Sequence, residues 1–263
     1  MEKLLLALSL AVQMAFAFAV GPPVTTNIGT QVSHGGNPTT TATIASVTVP
    51  AGALIVVVSV DRSNLTAAAG ATCSDGTNGS YTAGLVKKYQ QDSGFNTSMT
   101  FFYFANSAAL SGATITCVSQ DAGGPNPIIS AFYATNILTT SPLDTAVTAT
   151  VGINNSAANP PFTLTSGTPS VTGELIVAFV GWQSGTTDLT LDTGDGWSAI
   201  PTNIADASSS TAILGGHQVN SGTGTVVFKP VNSGTSIFGR AFIIGFKAIP
   251  NPSSFILSPT VIP

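Results

Sequence analysis

Gly52–Val60 reads GALIVVVSV. Pro50-Ala51 precedes this run and Asp61-Arg62-Ser63-Asn64 follows it, so the apolar stretch is short and bounded by turn-forming and polar residues. Its length and β-branched content predict a strand buried on both faces rather than a helix, which needs about ten residues or more. The run returns at Gly173–Gly181 as GELIVAFVG, 121 positions further on. Two such runs predict a tandem of two similar β units.

The residues around the first run carry the grammar of short strands. Thr25–Val32 is expected as an edge strand after a Pro/Gly/Thr-rich stretch, and Thr39–Val49 alternates with Ile44, Val47 and Val49 as apolar points. Cys73–Tyr81 contains Asp75-Gly76 and Asn78-Gly79, pairs that favour positive φ in tight hairpin turns. Leu85–Gln91, the aromatic Ser98–Ala105, the alternating Ala113–Ser119 and Ile128–Thr135 complete the set. About eight short strands without a helix predict an antiparallel β-sandwich, either jelly-roll or immunoglobulin-like. Periodicity does not choose between them, because strand order is not written in it.

The second run has matching neighbours. Phe162–Thr172 takes the place of the strand and turn before Gly52, and LTLDTGDGWSAI (Leu189–Ile200) that of the Cys73–Tyr81 hairpin, with Trp197 where Tyr81 stands. SGTGTVVF (Ser221–Phe228) aligns with SGATITCV (Ser111–Val118), and Ala241-Phe242 with Ala131-Phe132. The offset falls from 121 to 110, so the second unit lacks about eleven residues between its central strand and Ser221. Ile137–Pro161, rich in Thr, Ser, Asn and Pro, reads as the boundary region. The expected organisation is all-β: two tandem antiparallel β-sandwich domains over residues 20–139 and 140–249, with a Pro-rich tail over 250–263.

Residues 1–19 read as a secretory signal peptide. Lys3 supplies a minimal positive start that Glu2 offsets, Leu4–Ala19 is apolar, and Ala17-Phe18-Ala19 places small residues before a cleavage point. The alternative is an uncleaved hydrophobic anchor, although the run is shorter than the ~20 residues that span a bilayer. The expected location is secreted or cell-surface. Cys73 and Cys117 agree with export, since an oxidising compartment would let them close one disulfide.

The 263 residues are 43% hydrophobic and 7% charged, against roughly 25% charged in an ordinary soluble domain. Net charge is −4, and Lys87-Lys88 is the only adjacent basic pair. Nucleic-acid binding needs a basic patch that displaces counterions, and polybasic attachment to a membrane surface needs the same patch; both are excluded as expectations.

The chemistry-bearing residues point away from catalysis. The two histidines, His34 and His217, lie far apart in the sequence, no serine sits in a G-x-S-x-G, and the acids nearest to grouping (Asp61, Asp75 and Asp92; Asp188, Asp192 and Asp195) fall at turns, where Asp serves backbone hydrogen bonds. The expectation is a protein that is not an enzyme and has no resident cofactor. Asp188, Asp192 and Asp195 share one loop and would supply hard oxygen ligands if calcium bound there, against the plainer role of turn residues. Trp182, Trp197 and Tyr81 follow strands and hairpins, where a ring at a loop mouth stacks on a sugar; the competing role is that of core aromatics.

The pattern GALIVVVSV … SDGTNGSY … ALSGATITCV … AFYAT, echoed by GELIVAFVG … DTGDGWSAI … NSGTGTVVF … AFIIGF, resembles β-sandwich modules of exported bacterial surface proteins and of phage virion proteins. The resemblance covers roughly Thr39–Ile249. It implies structural or adhesive roles and carries over no catalytic residue. The expected function is therefore a non-enzymatic structural or adhesive protein for surface display or extracellular assembly. Its partners would be a surface glycan, another protein or copies of itself. The alternatives are a carbohydrate-binding module, with or without calcium, and a virion surface protein, which would place it in the virion.

Overall fold

The computed structural model describes residues 20–32, 40–63, 71–90, 96–119, 127–183, 188–200, 204–206, 211–234 and 236–250. The signal-like segment, His34, Asp92 and the tail after Pro250 lie outside the described residues. The first half runs through β1 (Val24–Val32), β2 (Thr41–Val49), β3 (Leu54–Ser63), β4 (Thr72–Asp75), β5 (Gly79–Ser80), β6 (Thr82–Gln90), β7 (Asn96–Phe104), β8 (Leu110–Val118) and β9 (Ile128–Thr135). The second runs through β10 (Leu143–Ser156), β11 (Leu164–Thr165), β12 (Leu175–Gln183), β13 (Leu189–Thr190), β14 (Ser198–Ala199), β15 (Ile204–Asp206), β16 (Thr211–Val219), β17 (Val227–Phe228), β18 (Val231–Asn232) and β19 (Ile237–Phe246).

Strand order decides between the two expected sandwiches. One sheet of the first half is β1-β9-β3-β7-β6 and the other is β2-β8-β4-β5. The first four strands alternate between the sheets, and the returning strands nest between them: β9 enters between β1 and β3, β8 between β2 and β4. An immunoglobulin sandwich keeps its first two strands in one sheet. The nested order is that of a jelly roll. The second half repeats it, with β10-β19-β12-β16-β14 as one sheet, β15 also on β16, and the opposing layer reduced to the pairs β11-β17 and β13-β18.

The two quoted runs are β3 and β12, and their burial on both faces has a physical source. On β3, Ile55 and Val57 point into the sandwich core of the first half with Ile44, Phe102, Ile115 and Ile129. The alternate residues Leu54, Val56, Val58 and Val60 share a second core with Leu175, Val177, Phe179, Phe242 and Ile244 of the other half. On β12 the remaining faces, Ile176, Ala178, Val180 and Trp182, meet Leu164, Leu189, Trp197 and Phe228. The two large sheets therefore lie face to face at the centre of a four-layered slab. They approach closely at Gly181, where a Cβ would come within 2.7 Å of Val60 Cγ2.

The repeat extends to individual hydrogen bonds. Gly52 and Gly173 both turn the chain with positive φ, +80° and +79°. The Gly52 amide donates to the Ser107 carbonyl and the Ser107 amide to that of Ala53, at 2.8 and 2.9 Å; Gly173, Asn220 and Glu174 repeat both bonds at 2.7 and 2.9 Å. Ile137–Pro161, read as a boundary, contains β10, the 14-residue partner of β19. The register of β10 slips between Asp144 and Ala149 and again between Ile153 and Ser156, which breaks the alternation that marks a strand in sequence. In the second half the nine-residue β6 is replaced by the short β14 and β15, which both pair with β16 as β6 pairs with β7.

Candidate functional site

The hairpin after β4 is organised by Asp75. Its Oδ1 accepts the Thr77 and Asn78 amides, both at 2.7 Å, and its Oδ2 accepts Asn78 Nδ2 at 2.9 Å and the Tyr81 hydroxyl at 2.6 Å. Burial pushes this carboxyl up, but the Tyr81 hydroxyl and the Asn78 and Thr77 donors outweigh it and hold the group below its ordinary value. Burial, and then the hydrogen bond to Asp75, push the Tyr81 phenol well above its ordinary value. The ring itself is buried and packs on Phe104 at 5.8 Å. Tyr81 is therefore a core residue whose polar end closes a turn, and it presents no face to a sugar.

Both tryptophans are also interior. Trp182 is 0% exposed and Trp197 3%. Trp197 Nε1 donates to the Val227 carbonyl at 2.8 Å, and its ring meets Phe228 edge-on at 5.2 Å. A shallow depression lined by Thr190, Leu191, Thr193, Trp197 and Ser198 lies over one side of that ring. Trp182 lies on β12 and Trp197 immediately before β14, and both rings turn into the core.

The aspartates expected on one loop have separate occupations. Asp192 Oδ1 accepts the Gly194 amide at 3.0 Å and caps a 3-10 turn over Thr193–Asp195. Asp195 pairs with Lys229 at 3.3 Å. Asp188 is buried, and its main-chain carbonyl accepts the Ser233 amide at 3.0 Å. Among the described residues no three His, Cys, Asp or Glu side chains converge as a metal-ligand set. Cys73 and Cys117 form a disulfide; they stand directly opposite in the β4–β8 ladder with Cα atoms 4.1 Å apart.

A different pair of acids is brought together, and it was not singled out in the sequence. Glu174 is 0% exposed and Asp144 3%. Asp144 Oδ1 accepts the Ala146 amide at 3.0 Å and Oδ2 the Ser170 amide at 2.8 Å. Glu174 Oε1 accepts the Ser170 hydroxyl and the Val171 amide, both at 3.1 Å. Ser170 bridges the two carboxyls, its amide bonded to Asp144 and its hydroxyl to Glu174. Burial first, and then Asp144, push Glu174 up to about 7. Burial works against Asp144 too, but the bonds from Ser170, Glu174 and the Ser170 and Ala146 amides bring it down to about 2. The available signal was the run itself: GELIVAFVG places an acid where GALIVVVSV has the fully buried Ala53.

The loop held by this pair walls a groove of about 530 Å³ at one end of the slab. Val171, Thr172 and Gly173 form one side, Val219 and Asn220 another, and Val20, Pro23, Lys247 and Pro250 complete it. Val171 and Val219 are large apolar side chains with substantial exposure, 40% and 38%. His217 lies elsewhere, half-buried on β16, with Nε2 2.8 Å from Thr25 Oγ1 of β1.

No protein-family model matches the chain, and no curated protein does. Among solved structures it is similar to the major capsid protein P2 from Bacteriophage PM2, at 10% identity and a TM-score of 0.22, over 86% of this chain and 97% of that one. An overlap that loose transfers neither fold nor function.

Proposed function

We propose that this chain is a non-enzymatic structural building block that acts by assembling, with copies of itself or on a biological surface. The observation that carries the reading is the core shared by the two jelly rolls: Val56, Val58, Phe101 and Phe132 interlock with Val177, Phe179, Phe242 and Ile244. Modules strung along a flexible linker each keep a separate core and move against one another. A face-to-face junction makes one stiff slab, which suits a repeating wall or coat. Low charge fits contact by shape rather than by electrostatic steering. Among the described strands β1 is an outer strand of its sheet, and its nine residues carry no charge, a strand of the kind to which another can add.

Both the exported and the virion form of this reading use the same slab, and jelly rolls serve viral coats and lectins alike, an argument by fold analogy only. The leader-like residues 1–19 favour export. A carbohydrate-binding role keeps one foothold, the shallow depression beside Trp197. Sedimentation velocity and electron microscopy of the purified chain, beside a glycan array with and without a calcium chelator, test the proposal. Concentration-dependent oligomers or ordered arrays are expected. A chain that stays monomeric at every concentration while binding a defined glycan would overturn it in favour of the lectin.

A further inference from the structure

We propose that Asp144 and Glu174 form a proton-sharing latch that holds the loop Ser170–Gly173 against β10, and that loss of the shared proton releases this loop and reshapes the groove it walls. Ser170 ties the two acids together, its amide on Asp144 and its hydroxyl on Glu174, and one carboxylate oxygen is left over. Both Asp144 oxygens and Glu174 Oε1 already accept N–H or O–H donors, and Glu174 Oε2 is buried without any donor. An orphaned carboxylate oxygen in an apolar site is costly, and a proton on Glu174 Oε2, shared with Asp144 in the proposed latch, would remove that cost.

Among the described residues no cation pairs with either acid. From β10 the pair is faced by Asp144 itself and Val147, and from the loop by Ser170 and the Val171 amide. From β19 it meets Gly245, where a Cβ would come within 3.0 Å of Glu174 Oε2. At the end of β16, Asn220 gives its amide to the Glu174 carbonyl and turns its side-chain nitrogen to the Gly222 and Gly224 carbonyls. Lys247 lines the groove, and among the described residues it forms no ion pair with either acid.

The first half shows that the turn does not need the pair. Gly52, Ala53 and Ser107 make the same two backbone bonds as Gly173, Glu174 and Asn220, with an alanine in place of the acid. Glu174 is thus an addition to a turn that is complete without it. With Glu174 at about 7 and Asp144 at about 2, the pair holds one proton across the interval between them. The raised group favours the latched state at low pH and loses that contribution as pH climbs from the unfolded carboxyl value through about 7.

Carbon-detected NMR titration of the side-chain carboxyls, with hydrogen exchange at the Ala146, Ser170 and Val171 amides corrected for base catalysis, tests this on the intact chain. A Glu174 midpoint near 7 is expected, with opening of these amides rising on the order of tenfold between pH 6 and pH 8.5. Glu174→Gln, which keeps a donor toward Asp144, should hold the loop closed at pH 8.5. A wild-type midpoint near the ordinary 4.5 overturns the latch even if the variant does not fold, as does an identical pH response in wild type and Glu174→Gln.

Discussion

Trp197 separates the structural reading from the lectin reading, because the two assign opposite consequences to its removal. Its indole is 3% exposed, donates to the Val227 carbonyl at 2.8 Å and meets Phe228 edge-on at 5.2 Å. Trp197→Ala removes a buried ring and leaves a cavity, which costs about 3–5 kcal/mol. Trp197→Phe retains part of the packing but orphans the Val227 carbonyl, for about 1–3 kcal/mol. At roughly 2–4 °C per kcal/mol for a chain of this size, the alanine variant should melt on the order of 10 °C lower and the phenylalanine variant in between. Thermal melts followed by circular dichroism measure this. The chain has only two tryptophans, both buried, so wild-type emission should be blue-shifted and resist acrylamide quenching. A Trp197→Ala protein that melts with wild type and loses affinity for a glycan would refute the reasoning.

Three further outcomes follow from other parts of the slab. Phe179 packs on Phe132 of the first half at 6.5 Å and on Phe242 at 6.0 Å, so Phe179→Ala should cost about 3–5 kcal/mol and lower hydrogen-exchange protection on β3 and β9 as well as β12; loss confined to the second half would contradict the shared core. The Cys73–Cys117 bridge closes a separation of 44 residues, and replacing both cysteines by alanine should destabilise by on the order of 4 kcal/mol, read from denaturant midpoints. Burial pushes the His217 ring below its ordinary 6.5, against a smaller opposing effect of the Ser198 backbone. Its contribution is present above the unfolded value and is lost as pH falls through the lower folded one, so its imidazole titration by NMR should show a midpoint below 6.5.

The strands were legible where burial is one-sided or complete. β3 and β12 announce themselves because each is covered on both faces, and the Asp75-Gly76 and Asn78-Gly79 hairpin because its turn chemistry is local. β10 was hidden: two register slips and a threonine-rich face erase the alternation on which a strand reading depends. Jelly-roll order was not legible, since nesting β9 between β1 and β3 is a long-range choice that no local pattern records. The candidate rings had two open roles in the sequence, sugar stacking or core packing; in the structure Trp182 continues the alternation of β12 into the core and Trp197 finds its partner 30 residues away. Glu174 was visible in the quoted run, but only the register with Ala53 and the approach of Asp144 give it meaning.

The claim on which the rest depends is that two jelly rolls share one core and act as one stiff body. Differential scanning calorimetry of the intact, disulfide-bonded chain addresses it directly. A single transition whose calorimetric and van't Hoff enthalpies agree is the predicted result. Two resolved transitions, each with the enthalpy of about half the chain, would contradict it.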